Sequence, residues 1–203
     1  MLQKLKPLFV DKKLKEKKMY IFSPLEFRRV FNVSEYASGW FIKTYTQKGL
    51  FKKLRNGLYI LSDIPYNHYL IANKVYNPSY ISFETAFSFH KIIPETIYSI
   101  TSATPKTSRE FDVLNNHYVY RKIKKNVYTG YSVIKYLNET VLMAEAEKAL
   151  ADFLYFVDLG KQEMSYERLD LSNIKKNKFF KYIDLFNRKS LNKLAKEIYD
   201  EYR

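Results

Sequence analysis

The dipeptide Asn56-Gly57, set inside LFKKLRNGLYIL (residues 50–61), constrains the fold more than any other feature of this chain. A two-residue turn of type I′ needs positive φ at both central positions, and Asn and Gly adopt it with the least steric penalty. The flanks are strand-formers. The stretch therefore predicts a hairpin with Lys52, Lys53 and Arg55 on one arm and with Leu54, Leu58, Tyr59, Ile60 and Leu61 as apolar anchorage. A lone hairpin of this size is marginal in water, so it must pack on something.

The preceding residues supply partners. Residues 1–18 carry an apolar stripe (Leu2, Leu5, Leu8, Phe9) and then a lysine cluster, which reads as a first helix and a charged connector. In SPLEFRRVFN, Ser23 caps a helix, Pro24 suits its first position and Glu26 completes the S-x-x-E box, with Leu25, Val30, Phe27 and Phe31 expected inward. Asn32 ends that helix close to Ser34, which caps another. In SEYASGWFIKTYTQKG, Ala37, Phe41 and Tyr45 recur every four residues with Trp40 beside them, predicting one buried face. Glu35, Ser38, Gly39, Lys43 and Thr46 fall on the opposite face, Tyr36 and Gln47 on its margin, and Gly49 ends the helix.

Helix, short turn, helix and a ribbon with a basic tip is the order of a winged helix-turn-helix. Charge agrees with it. The chain carries a formal +14, and residues 1–65 hold 11 Lys and 3 Arg against 5 acidic residues, so a third of the chain supplies +9. Such a field attracts polyanions. The predicted partner is double-stranded DNA: Ser34, Tyr36, Ser38, Lys43, Thr46 and Gln47 would face the groove, while Lys52, Lys53 and Arg55 would reach phosphates, which position rather than specify.

Past Pro65 the charge density falls, which places a boundary between residues 65 and 66. Residues 66–76 read as a helix, and 77–93 as a turn, a short strand and a helix capped by Ser82. Strand signals follow at 97–105, 117–123 and 127–144, with a turn at Gly130. AEAEKALADFLYFVDLG reads as a helix ended by Gly160, with Ala146, Ala149, Leu150, Phe153 and Leu154 buried. From about residue 163 the tail reads as wholly helical, through Ile174, Phe179, Ile183, Phe186, Leu191, Leu194, Ile198 and Tyr202. The expected class is α+β, a winged helix-turn-helix followed by a mixed α/β domain with a helical end.

Catalytic signals are sparse. The chain has no cysteine, which excludes disulfides, thiolate nucleophiles and cysteine-bearing zinc sites. His68, His90 and His117 lack metal-ligand spacing. Glu145, Glu147 and Lys148 resemble the E-x-K part of a metal-dependent nuclease, but residues two apart on a helix diverge by about 200°, which argues against a shared ion. No stretch reaches the ~20 apolar residues of a membrane span. The expectation is a cytoplasmic, non-enzymatic protein without cofactor or metal, a monomer or weak dimer.

Four stretches, GLFKKLRNGLYIL, NPSYISFETAFSFHKII, ITSATPKTSREF and AEAEKALADFLYF, resemble in that order the AbiEi family of antitoxins and transcriptional regulators, over roughly residues 20–157. The chain departs from the family pattern at Ala146, where proline is usual, and at Lys91, where glycine is common. The resemblance implies an amino-terminal winged helix that binds inverted repeats in its own promoter. It also implies a second, antitoxin-type domain over 66–203 that counters a nucleotidyltransferase-like toxin encoded by an adjacent gene, in systems of phage abortive infection. The matching motif positions are Ser79, Tyr80, Ser82, Ala86, His90, Glu147, Lys148 and Asp152, and they are expected chiefly to hold that domain together. The alternatives are a stand-alone winged-helix transcription factor whose second domain binds a ligand or dimerises, and a nuclease built on Glu145 and Glu147.

Overall fold

The computed structural model describes residues 5–137, 139–164 and 169–202. It is an α+β protein with eight α-helices and two sheets among these residues, and it divides into two compact units, Met1–Tyr66 and Asn67–Arg203.

The first unit runs α1 (Pro7–Glu16), β1 (Ile21–Phe22), α2 (Pro24–Phe31), α3 (Glu35–Gln47), β2 (Phe51–Arg55) and β3 (Leu58–Leu61). The capping box forms as expected: Glu26 N–H donates to Ser23 Oγ at 3.2 Å, and the Glu26 carboxylate accepts from Ser23 N–H at 2.7 Å. Ser34 accepts from Ala37 N–H at 3.2 Å and starts α3. Gly49, at φ +83°, ends it. Four phenylalanines from four elements meet in the core: Phe22 of β1, Phe27 of α2, Phe41 of α3 and Phe51 of β2, with ring centroids 5.0–6.4 Å apart.

Tertiary packing corrects several expectations here. On α1 the buried residues are Val10 and Leu14, reached from within the lysine-rich stretch, while Leu8 and Phe9 are exposed; Leu2 lies outside the described residues. Lys12, Lys13 and Lys15 are thus helical, and only Lys17 and Lys18 are left to the connector. On α2 it is Phe27 that is buried and Leu25 that is exposed. The strand β1, too short to show a period of two, pairs antiparallel with β3 and makes a three-stranded sheet in the order β1-β3-β2. Gly57 takes φ +74° but Asn56 is not among the residues with positive φ, so the turn is not type I′. An extra residue on β2 accounts for this: the register slips between Lys53 and Arg55, so Leu54 forms a bulge whose added twist suits a different turn.

The second unit contains α4 (His68–Val75), β4 (Tyr80–Ile81), α5 (Phe83–Phe89), β5 (Ser99–Thr104), β6 (Arg109–Val113), β7 (Asn116–Lys122), β8 (Tyr131–Tyr136), β9 (Glu139–Ala144), α6 (Ala146–Asp158), α7 (Lys176–Asp184) and α8 (Lys189–Glu201). Its six-stranded mixed sheet has the order β6-β7-β5-β4-β9-β8, with β5–β7 and β4–β9 parallel and the other pairs antiparallel. The helix α6 is central. Every residue from Glu147 to Phe156 is buried, so the expected one-sided stripe understates it, because α5, α7 and α8 all pack on it. The tail is not wholly helical: residues 169–175 are irregular, and residues 165–168 lie outside the described residues.

Two local features carry testable consequences. Lys91 follows the end of α5 at φ +59°, with Ile92 N–H donating to Phe87 C=O at 2.9 Å, the geometry of a left-handed helix stop. This is the position where the family resemblance implies glycine. A side chain in that region costs about 1–2 kcal/mol, partly offset by the freedom glycine loses on folding, so Lys91→Gly is expected to raise stability by up to about 1 kcal/mol. Lys91→Val should lower it; urea unfolding midpoints of the two variants measure both.

His68 Nδ1 lies 3.0 Å from the Tyr118 hydroxyl, and burial lowers the imidazole below its ordinary value of 6.5. The unfolded chain therefore takes up a proton near pH 6.5 and the folded chain only at lower pH. Within that window the unfolded state holds more protons, so stability falls as pH drops below about 6.5. The expected observation is a thermal midpoint that declines from pH 7.5 to 5.5, with a shallower decline in His68→Gln.

Candidate nucleic-acid interface

Helix α3 presents its outer face to solvent through Tyr36, Gly39, Trp40, Lys43 and Gln47. Tyr36 is 85% exposed and Trp40 59%. At 100° per residue, positions 36, 40, 43 and 47 fall within about 60° of one another, so they form one stripe. The helix is held from behind by Phe41 and Ile42, both buried, and is tied to α2 by a 2.8 Å ion pair from Arg28 to Glu35.

Two predicted contacts, and one residue expected on the buried side, need correction. Ser38 is only 1% exposed and its hydroxyl donates to the Glu35 carbonyl at 2.8 Å, so it faces the core. Thr46 is half-buried, with its hydroxyl oxygen enclosed. Trp40, expected beside the buried stripe, stands in water instead. The reason is rotational: the core claims the Phe41–Ile42 side of the helix, which turns Ser38 inward and Trp40 outward. The four-residue spacing of Ala37, Phe41 and Tyr45 left that rotation undetermined, and the wheel angle between Tyr36 and Trp40 was the available signal. Ser34 serves as the helix cap, while Tyr36, Lys43 and Gln47 stand exposed as expected.

On the hairpin, Lys52, Lys53 and Arg55 are all exposed, while Phe51, Leu54 and Leu58 are buried. Strict alternation would put Lys53 and Arg55 on the same side as Phe51. The bulge at Leu54 breaks that alternation, turning the leucine inward and both of its neighbours outward. Lys52 lies with its ammonium 5.0 Å from the Tyr66 ring centroid, and the Arg55 guanidinium donates to the Asn56 carbonyl at 2.9 Å.

In the second unit the motif residues gather around α6. Asp152 Oδ2 accepts from Tyr80 OH and from Ser82 Oγ, each at 2.9 Å, and Oδ1 accepts from Lys148. Lys148 and Asp152 have no solvent exposure. Burial pulls the Lys148 ammonium below its usual range, and burial together with the Asp152 carboxylate holds the Tyr80 phenol well above its own. Ser82 does not cap α5; Asp152 takes its hydroxyl instead. His90 Nε2 lies 2.8 Å from the Ala144 carbonyl, and Ser79 is buried with no hydrogen-bond partner for its hydroxyl among the described residues. Among the named motif positions Asp152 is the hub, and its signal was the i,i+4 spacing from Lys148 inside an apolar run.

Glu145 and Glu147 also differ from expectation. Their side chains do converge, because Glu145 sits at the N-cap with extended backbone, outside the helix whose geometry would have separated them. They converge on Lys178 of α7, whose ammonium is 2.9 Å from Glu145 and 3.6 Å from Glu147. Burial alone would raise the Glu145 carboxyl, but hydrogen bonds from Tyr182 and Lys178 outweigh it and hold it below its usual value. The two carboxylates thus share one cation from α7. Among the described residues no group of three or more His, Asp or Glu side chains is placed to hold a metal ion.

A cavity of about 620 Å³ in the second unit is lined by Arg109, Arg121, Lys161, Glu110, Val119 and Phe156, among others. Among the described residues no helix is long and apolar enough to cross a membrane. Comparison of the sequence with protein-family profiles and with characterised proteins finds no match.

Proposed function

We propose that this chain is a DNA-binding transcriptional regulator whose first 65 residues act as a winged helix-turn-helix, with α3 in the major groove and the β2–β3 hairpin against the phosphates. The single observation that carries the reading is that one small unit exposes both a helix face bearing Tyr36, Trp40, Lys43 and Gln47 and a bulged ribbon turning three cations outward. The element order helix, strand, helix, helix, hairpin supports it. So does the concentration of positive charge in that third of the chain.

The second part of the proposal rests on the family resemblance alone: the chain represses its own promoter and counters a nucleotidyltransferase-like toxin encoded next to it, in an abortive-infection system. It has no catalytic role in this reading. The pairing of Glu145 and Glu147 with Lys178 supports that over the nuclease alternative.

The test uses Trp40, the chain's one tryptophan, exposed on the proposed groove-facing helix. Titration with promoter duplex is expected to change its fluorescence, with an affinity that falls steeply as salt rises, because each neutralised phosphate releases counterions. An unchanged signal, with no retained duplex in a parallel gel-shift, rejects the DNA reading. Co-expression with the adjacent reading frame tests the antitoxin half separately: toxicity of that product alone, relieved by this chain, is the expected result.

A further inference from the structure

The two edges of the six-stranded sheet are chemically unlike. One edge, β6, carries exposed Arg109, Glu110 and Asp112, the kind of charge that discourages strand addition. The other, β8, reads YSVIKY; Lys135 is its sole charge, and Val133 is 66% exposed at its centre.

Backbone pairing shows which groups on β8 lack partners. Tyr131 lies opposite Ala144, and the Gly130 carbonyl accepts from Glu145 N–H at 3.0 Å. Antiparallel ladders alternate between hydrogen-bonded and non-bonded pairs, so Gly130, Ser132, Ile134 and Tyr136 bond towards β9. The N–H and C=O groups of Tyr131, Val133 and Lys135 then point away from the sheet, and no partner for them is present among the described residues. Beyond them, at the strand's far end, the Tyr136 carbonyl also accepts from Asn67 Nδ2 at 2.9 Å.

We infer that this edge pairs with β8 of a second copy of the chain, antiparallel and centred on Val133. A twofold axis requires each residue to face its mirror position, and outward-pointing backbone must meet outward-pointing backbone. Centring on Val133 satisfies both conditions. Val133 then faces Val133, Tyr131 faces Lys135 in both directions, and Ser132 faces Ile134. No like charges are opposed, the two exposed valines cover each other, and a cation meets an aromatic ring on either side. A second copy is favoured over a foreign strand because this edge is complementary to itself. One strand pair buries less than a standard interface, so the dimer is weak and depends on concentration.

The experiment uses the full chain without DNA, and is therefore independent of the regulator reading. Sedimentation equilibrium up to about 300 µM is expected to show a monomer–dimer equilibrium, this range being chosen because the interface is small. Val133→Lys and Val133→Glu should each weaken association by at least about tenfold, since like charges then face each other across the axis. Mixing the two variants should restore it. Because the chain has no cysteine, Val133→Cys supplies the sole thiol, and hydrogen-bonded antiparallel pairs hold Cα atoms about 5.5 Å apart, within disulfide range. It should crosslink under mild oxidation far faster than Glu110→Cys on the opposite edge. A wild-type chain that stays monomeric throughout, a dimer indifferent to Val133→Lys, or equal crosslinking at both edges overturns the inference.

Discussion

Replacing Lys52, Lys53 and Arg55 together with glutamine is expected to weaken binding to double-stranded DNA by on the order of a hundredfold at about 0.1 M salt, whatever the sequence. All three side chains are exposed on β2, so their removal leaves Phe51, Leu54 and Leu58 to hold the hairpin in place. The quantity that identifies phosphate binding is the salt slope: log affinity against log salt should become shallower by about 0.9 for each phosphate no longer neutralised, nearly 3 in all. Lys43→Ala and Gln47→Ala on the α3 stripe should behave otherwise, changing which duplex is preferred and altering the slope by no more than about 1. Ser38→Ala, by contrast, should leave sequence preference alone, since that hydroxyl is bound to the Glu35 carbonyl. A triple variant with wild-type affinity and slope would remove the hairpin from any role in DNA binding.

Asp152→Ala should destabilise the second unit by about 3–5 kcal/mol, a large share of the roughly 5–15 kcal/mol that domains usually have. Its carboxylate holds three donors at once, from Tyr80, Ser82 and Lys148. Truncation strands a fully buried ammonium and two buried hydroxyls in apolar surroundings, and each unsatisfied group carries its own desolvation penalty. Lys148→Met alone should cost less, because Asp152 keeps two neutral donors. The double variant Lys148→Met/Asp152→Leu should recover much of the loss, since it removes both charges together. Hydrogen exchange of the α6 amides reads this unit directly. A loss below about 1 kcal/mol in Asp152→Ala would mean that water or a rearranged partner reaches the cluster, and that the motif is not a structural hub.

Legibility in the sequence divides along the range of the interactions. The starts of α2 and α3 and the stop at Gly49 follow from interactions within four residues of chain, and those signals survive in any context, while the hairpin and most strands of the second unit show in turn residues and apolar patterning but are held by partners farther off. Even so, the bulge at Leu54 changed the turn at Asn56-Gly57, because strand twist is set by the pairing of β2 with β3. The strand β1 left no periodic trace at two residues long; it exists because Leu61 and Ile60 offer it a ladder from some forty residues away.

What the sequence determined by itself was therefore the local grammar of elements, their order, and the surplus of charge in the first third. Tertiary structure alone decided which side of α3 meets water, that Lys148 and Asp152 are sealed in the core with Tyr80, and that Glu145 and Glu147 close on a lysine. The physical reason is that a cap or a turn is satisfied by its own neighbours, whereas helix rotation and burial are settled by apolar surfaces arriving from distant segments, which no short window of residues contains.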